Sequence, residues 1–277
     1  MPKRFDDRDI GWLAGILADA AVAEIMPRFR RLGAGDVRQK TSAADLVTEA
    51  DINAERVIAA AIAERYPRAL VVGEEACEID ATLLPRLGAA ELAFVIDPVD
   101  GTFNFASGVP LFGVMAAVVQ DGETVAGIIH DPIGKDFLIG ARGAGSHLTA
   151  ADGERTPVKV AAPVPMSQMT GALSWQYRAE PERSRLARNQ TKCLSQIGYR
   201  CAAHEYRIIA SGHAHFALFN KLMPWDHLAG VLIHQEAGGH AARLDGSAYR
   251  SSHLGGDLLI APDKDCWIEL RRELFSE

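Results

Sequence analysis

Two aspartates stand three residues apart in Asp97-Pro98-Val99-Asp100-Gly101-Thr102, directly after the apolar run Ala93-Phe94-Val95-Ile96. Proline fixes φ and donates no ladder hydrogen bond, so the strand is expected to end and the chain to turn at Pro98. Gly101 permits a tight turn or a close backbone approach. Such a turn can bring both carboxylates to one point, where they repel unless a proton or a cation lies between them. Hard cations such as Mg²⁺ favour oxygen ligands of this kind. The amides of Gly101 and Thr102 are candidates for holding phosphate oxygens.

Other acids fall at comparable places. Glu74 and Glu75 end the apolar run after Ala69, Asp226 follows Trp225 at the head of a helical pattern, and Asp51 lies three residues after Thr48, with Lys40 and Asp45 upstream. Each has an ordinary structural alternative. Asp97 to Gly101 reads equally as an Asp-Pro turn and a surface Asp-Gly turn. Glu74 and Glu75 read as a solvated loop, Asp226 as a helix N-cap, and Thr48 with Asp51 as a capping box. Together, however, the acids gather at strand ends and helix starts, where loops carry function. Divalent cations held among them would dominate the local field and let an acidic region bind phosphate.

The elements that must position these residues are legible from periodicity. Helices are expected over about 7–29, with Pro27 bending or ending the first, over 48–66, 181–197, 205–211 and 226–238, and at 264–275. Strands are expected at 69–72, 92–96, 114–119, 125–129, 137–139, 171–174, 216–219 and 258–261. Asp121-Gly122 marks a hairpin between 114–119 and 125–129. Residues 141–156 are rich in Gly, Ala and Asp and suggest a boundary between a 1–150 half and a 151–277 half. This mixture predicts an α+β or α/β chain of stacked sheet and helix layers.

Composition sets the outer limits. The 277 residues are 48% hydrophobic and 23% charged, ordinary globular values that exclude collagen-like, disordered and low-complexity classes. With 29 Lys and Arg against 36 Asp and Glu, the formal net charge is -7, and no basic patch points to nucleic acid. Residues 1–150 hold 22 of the acids and 14 of the bases, so the excess acidity lies in the half that carries most candidate ligands. The four cysteines form no Cys-x-x-Cys pair, the N-terminus is too charged for a signal peptide, and no apolar run approaches a membrane span. A soluble, cytoplasmic protein with reduced thiols is expected.

The segments Lys40–Asp51, Val71–Glu75, Ile96–Phe105 and Pro224–Gly239, in this order and at these intervals, resemble the inositol monophosphatase superfamily. The resemblance runs from about Gln39 to Asp263. It implies an αβαβα layered sandwich of the inositol monophosphatase and fructose-bisphosphatase type, commonly a homodimer and frequently sensitive to Li⁺. It implies that Glu74, Asp97 and the Val99 carbonyl hold one Mg²⁺, that Asp97, Asp100 and Asp226 hold a second, and that a third, weaker ion uses Glu74. Asp51 and Thr102 would polarise the attacking water with Glu75 nearby. Lys40, Gly101, Thr102, Ala202 and Phe219 would line the phosphate and substrate side. The implied reaction is direct in-line hydrolysis of a small phosphate monoester, dominated by positioning and cations. Segment 31–43 is a candidate closing loop.

The sequence departs from the family on the substrate side. Seven positions before Asp226, where inositol monophosphatases usually carry an acid for substrate hydroxyls, stands Phe219. The usual Gly-Arg-Ala-Asp segment reads Gly212-His213-Ala214-His215, and the Gly-Ser-Ala loop reads Arg200-Cys201-Ala202. These changes weigh against an inositol leaving group, because sites built for hydroxyls discriminate strongly. Arg200, His204 and Arg207 are candidates to meet a second anionic group. Histidinol phosphate, 3′-phosphoadenosine phosphate and sugar bisphosphates are the alternative substrates. Two other readings are a haloacid-dehalogenase-type phosphatase, whose Asp-x-Asp spacing differs from the three-residue spacing here, and a non-catalytic metal- or phosphate-binding regulator.

Overall fold

The computed structural model describes residues 5–33, 35–40, 46–175 and 177–277. Its strands are β1 (Val37–Gln39), β2 (Leu46–Thr48), β3 (Leu70–Gly73), β4 (Leu92–Asp100), β5 (Gly113–Gln120), β6 (Glu123–Asp131), β7 (Asp136–Ala141), β8 (Gly145–Thr149), β9 (Arg155–Pro157), β10 (Thr170–Leu173), β11 (Ser195–Ile197), β12 (Phe216–Lys221), β13 (His240–Arg243) and β14 (Gly255–Ala261). Its α-helices are α1 (Asp7–Ala20), α2 (Glu49–Arg65), α3 (Glu74–Ile79), α4 (Leu83–Arg86), α5 (Thr102–Ala106), α6 (Glu182–Asn189), α7 (Ala202–Ala210), α8 (Pro224–Glu236) and α9 (Lys264–Leu274).

Strands β3 to β9 form a seven-stranded sheet in sequence order, with β3 and β4 parallel and the other neighbours antiparallel. A five-stranded sheet has the order β11-β10-β12-β14-β13, in which β10 runs parallel to both β11 and β12. Strands β1 and β2 form a separate antiparallel pair.

Strict alternation along the strands explains the layering. Phe94, Ile96, Val114, Ala116 and Val118 pack with Ile10, Leu13, Leu17, Ile58 and Ile62 of α1 and α2. Their neighbours Ala93, Val95, Met115, Ala117 and Val119 face the opposite way, into a second core with Tyr206 and Ile209 of α7 and Leu228 and Ile233 of α8. That core is closed from the other side by Ala217, Phe219, Leu258 and Ile260 of the five-stranded sheet. The alternate residues Phe216, Leu218, Leu259 and Ala261 meet Leu186, Trp267 and Leu270 of α6 and α9. Successive strand side chains point to opposite faces, so a strand apolar at every position must be covered on both. The result is helix, sheet, helix, sheet, helix, an αβαβα sandwich.

Several boundaries differ from the sequence reading. The first helix leaves α geometry at Ala20 and continues as a π-helical turn over Ala21–Ile25. The Gly-rich stretch 141–156 supplies β8 and part of β9. The expected 181–197 helix stops at Asn189, and Ser195–Ile197 forms an edge strand on Thr170–Ala172. Segment 41–45, which contains Asp45 and part of the expected closing loop, lies outside the described residues.

Helix α8 sits unusually close to the first sheet. A Cβ on Gly127 of β6 would lie 2.6 Å from the Ala229 carbonyl oxygen. Gly127→Ala must therefore push α8 away, at roughly 1–3 kcal/mol. We expect a Tm lower by several degrees and an activity loss larger than the stability loss, because α8 carries Asp226. Thermal melts with parallel turnover assays check this, and an unchanged Tm contradicts the close seating.

Candidate active site

Strand β4 does not end at Pro98. Asp97 pairs with Met115 and Asp100 with Gly113, so one extra residue is inserted between them as a β-bulge. In a regular strand, residues three apart face opposite sides. The extra residue resets that phase, and Asp97 and Asp100 both turn toward α8. Proline suits such a place because the bulge leaves its missing N–H without a ladder partner. Reversal comes at Gly101, whose φ of 88° is left-handed. A Cβ there would lie 2.9 Å from the Leu111 carbonyl oxygen, so the turn requires glycine.

Helix α8 begins at Pro224, with Asp226 in its first turn and Met223 as a cap without a side-chain hydrogen bond. Asp226 is thus not an N-cap, and its side chain faces the bulge instead. Carboxylate oxygens of Asp97, Asp100 and Asp226 lie within 4.8 Å of one another. Asp100 is fixed from α7, with Oδ2 accepting the Ala203 N–H at 2.5 Å and the Cys201 thiol at 3.0 Å.

A second pair of acids approaches from β3. Glu74 and Glu75 open α3 and are not a solvated loop. The carboxylate of Glu55 on α2 accepts the N–H groups of Glu75 at 2.8 Å and Ala76 at 2.7 Å, and so holds the helix start. Lys40 Nζ donates to Glu74 at 2.9 Å and Glu75 at 2.7 Å. Lys40 thus bridges the two glutamates.

Asp51 fills two roles. The expected capping box is present, with Asp51 Oδ2 accepting the Thr48 N–H at 2.8 Å. Its Oδ1 accepts the Thr102 hydroxyl at 3.1 Å, and that hydroxyl also lies 3.0 Å from the Val99 carbonyl. An ordinary capping box lies in solvent, but this one is buried. Glu74, Asp97, Val99, Asp100, Gly101, Thr102, Ala202, Phe219 and Asp226 line one cavity. Lys40, Asp51 and Glu75 stand just behind it.

The electrostatics follow from burial and crowding. Burial pushes the Asp97 carboxyl well above its usual range, and Glu74, Asp100 and Asp226 push it further. Asp226 is raised by burial and then by Asp100 and Glu74. Asp100 is raised by burial, against its hydrogen bonds from Cys201, Ala203 and Ala202. Burial lifts Asp51 to about 7 and, against the pull of Lys40, lifts Glu75 to about 7. Three converging oxygen donors, each strained as an anion and with no nitrogen or sulfur among them, fit a hard divalent cation.

A sequence profile of the inositol monophosphatase family matches residues 13–274. The chain belongs to the inositol monophosphatase family. It is 28% identical over 211 residues to a fructose-1,6-bisphosphatase/inositol-1-monophosphatase of Thermotoga maritima, covering 76% of each chain. It is 30% identical over 216 residues to a histidinol-phosphatase of Chlorobaculum parvum, covering 78% of each. The fold superposes on an inositol monophosphatase from Zymomonas mobilis with a TM-score of 0.79 at 23% identity, covering 98% of this chain and 99% of that one. As a member of a metal-dependent phosphatase family whose relatives are named phosphatases, the chain is a phosphomonoesterase. This membership sets aside the haloacid-dehalogenase reading of Asp97-Pro98-Val99-Asp100.

Three supporting residues of this inositol monophosphatase-family site escaped the sequence reading. Glu55 could have been found, since it lies four residues after Asp51 on the same face of α2. Asn104, whose amide donates to the Leu111 and Tyr199 carbonyls at 2.8 and 2.7 Å, gave no local signal. Glu205 on α7 gave none either, yet it is buried at the cavity wall against the backbone amides of Tyr199 and Arg200.

Burial raises the Glu205 carboxyl from 4.5 to about 8. The folded state favours its protonated form, so this contribution to stability is complete below about pH 4 and is lost as pH rises to about 8. Glu205→Gln removes the titration. We expect the Tm of the variant relative to wild type to increase steadily from about pH 5 to about pH 8. A difference that does not change with pH contradicts the assignment.

Proposed function

We propose that this phosphomonoesterase hydrolyses a small phosphate monoester by direct in-line attack of water, with two or three Mg²⁺ as cofactor. The observation that carries this reading is the meeting of Asp97, Asp100 and Asp226 within 4.8 Å, beside the hydrogen-bonded pair of Asp51 and Thr102. Glu74, Asp97 and the Val99 carbonyl would hold one ion, Asp97, Asp100 and Asp226 a second, and Glu74 a third, weaker one. Such ions supply Lewis acidity toward the phosphoryl oxygens and ease deprotonation of water.

The chain's own residues do the remainder. Thr102 Oγ1 and Asp51 Oδ1 would polarise and orient the attacking water. Glu75, held by Lys40, would stand near that water. The amides of Gly101 and Thr102 receive phosphoryl oxygens at the turn. Lys40 adds positive charge through the glutamates, and Ala202 and Phe219 bound the leaving-group side. No covalent phosphoenzyme is needed. Residues 1–150 would carry most of the cation ligands, and residues 151–277 would bring Asp226 and the specificity loops. The reading includes a cytoplasmic homodimer that acts on a phosphorylated metabolite and responds to Li⁺. It includes no nucleic-acid or membrane partner.

Phosphate release from a panel of phosphomonoesters, measured with Mg²⁺ and with EDTA, is the test. We expect metal-dependent release by the wild type. Asp97→Asn removes a ligand shared by both principal ions, so turnover should fall by several orders of magnitude at an unchanged fold. Wild-type turnover in that variant would sink the shared-ligand assignment.

A further inference from the structure

Of the three side chains the sequence offers for a second anionic group, two are already engaged; Lys221 of β12 also lines the cavity, near Asp226. Arg207 pairs with Asp136 at 2.6 Å. His204 Nε2 lies 3.2 Å from the Phe112 carbonyl. Arg200 differs. It lines the same cavity as the carboxylates, is exposed, and makes no ion pair among the described residues. Its guanidinium carbon lies 3.7 Å from the centre of the Phe103 ring. One face of the guanidinium is thereby covered, while its N–H edges remain available.

The backbone beneath Arg200 is held against its own preference. Its φ of 53° is left-handed, where a side chain other than glycine is strained. Two clamps impose this. Asn104 donates to the Tyr199 carbonyl at 2.7 Å, and the buried Glu205 carboxyl lies against the backbone amides of Tyr199 and Arg200. The next residue, Cys201, donates its thiol to Asp100. Arg200 is therefore fixed relative to the Asp97, Asp100 and Asp226 cluster. The cavity wall offers no carboxylate for a polyol at Phe219, which is buried and stacked on Tyr206 with ring centres 5.2 Å apart.

We propose that Arg200 is a specificity-determining residue that selects phosphomonoesters whose leaving group carries a second phosphate. This rests on the phosphomonoesterase reading of the site. The first phosphate is hydrolysed at the carboxylate cluster. The second is only bound, as a bidentate acceptor of the Arg200 N–H edge, and no bond to it changes. A fixed cation at the mouth also disfavours a cationic leaving group such as that of histidinol phosphate.

The test compares matched pairs under Mg²⁺: 3′-phosphoadenosine 5′-phosphate with adenosine 3′-phosphate, and fructose 1,6-bisphosphate with fructose 1-phosphate. In the wild type, the doubly phosphorylated member of at least one pair should have the higher kcat/KM, by roughly 10- to 100-fold, the worth of one charge-assisted contact. In Arg200→Gly that ratio should fall close to one, mostly through KM, and Arg200→Lys should restore part of it. Glycine accommodates the left-handed backbone, so the Tm of Arg200→Gly should equal or exceed that of wild type. A ratio that survives Arg200→Gly overturns the proposal. So does a Tm drop without a ratio change, or a wild type that prefers inositol 1-phosphate or histidinol phosphate to every doubly phosphorylated ester. Silence on all esters, including p-nitrophenyl phosphate, would instead sink the proposed reaction. Calorimetric binding of the same pairs in Ca²⁺, to wild type and Arg200→Gly, then decides the role of Arg200 by the same ratio.

Discussion

Mutual repulsion among buried carboxylates is the constraint around which this molecule is organised. Asp97, Asp100 and Asp226 share a space 4.8 Å across, where each fully ionised pair costs roughly 3–4 kcal/mol at an effective dielectric of about 20. A soft scaffold would relax such a cluster apart. Here it is opposed by rigid devices on every side. The bulge at Pro98 aims two acids the same way, the close seating of α8 delivers the third, and backbone N–H groups fix Asp100. Glu55 and Lys40 hold the glutamates in turn.

The two sheets contribute differently. The seven-stranded sheet and its outer helices α1 and α2 bring Asp51, Glu74, Asp97 and Asp100. The five-stranded sheet and the 199–205 segment supply the opposite wall of the cavity. Helices α7 and α8 lie between them and belong to both. The cavity opens at this junction, and Cys201 and Ala203 tie the 199–205 segment to Asp100 across it.

Much of the site was legible in the sequence because its ligands lie at abrupt transitions. Asp97 follows an apolar run, Glu74 and Asp226 lie in the first turns of helices, and Gly101 marks the reversal. The strand and helix pattern alone gave stacked layers, and the αβαβα order came from the resemblance of four segments to the inositol monophosphatase superfamily. What was not legible depends on phase or on distant packing. The bulge in β4 cannot be seen in Asp-Pro-Val-Asp, because an extra residue in a ladder is defined by its partner strand. Strand β11 read as helix, since Cys193, Leu194 and Ile197 fit a helical face as well as a strand edge, and only pairing with β10 decides. Glu205 and Asn104 are ordinary polar residues until the 199–200 turn folds onto them. Asp51 shows that a structural and a chemical reading can both hold for one side chain.

The seating of α8 also has a consequence for how the protein comes into being. A ribosome completes Asp97 and Asp100 long before it reaches Asp226, and α8 can dock only when both sheets exist to receive it. The nascent chain thus carries an incomplete set of acids through much of its synthesis. The three acids meet only once the interior helix that joins the two sheets has emerged and taken its place.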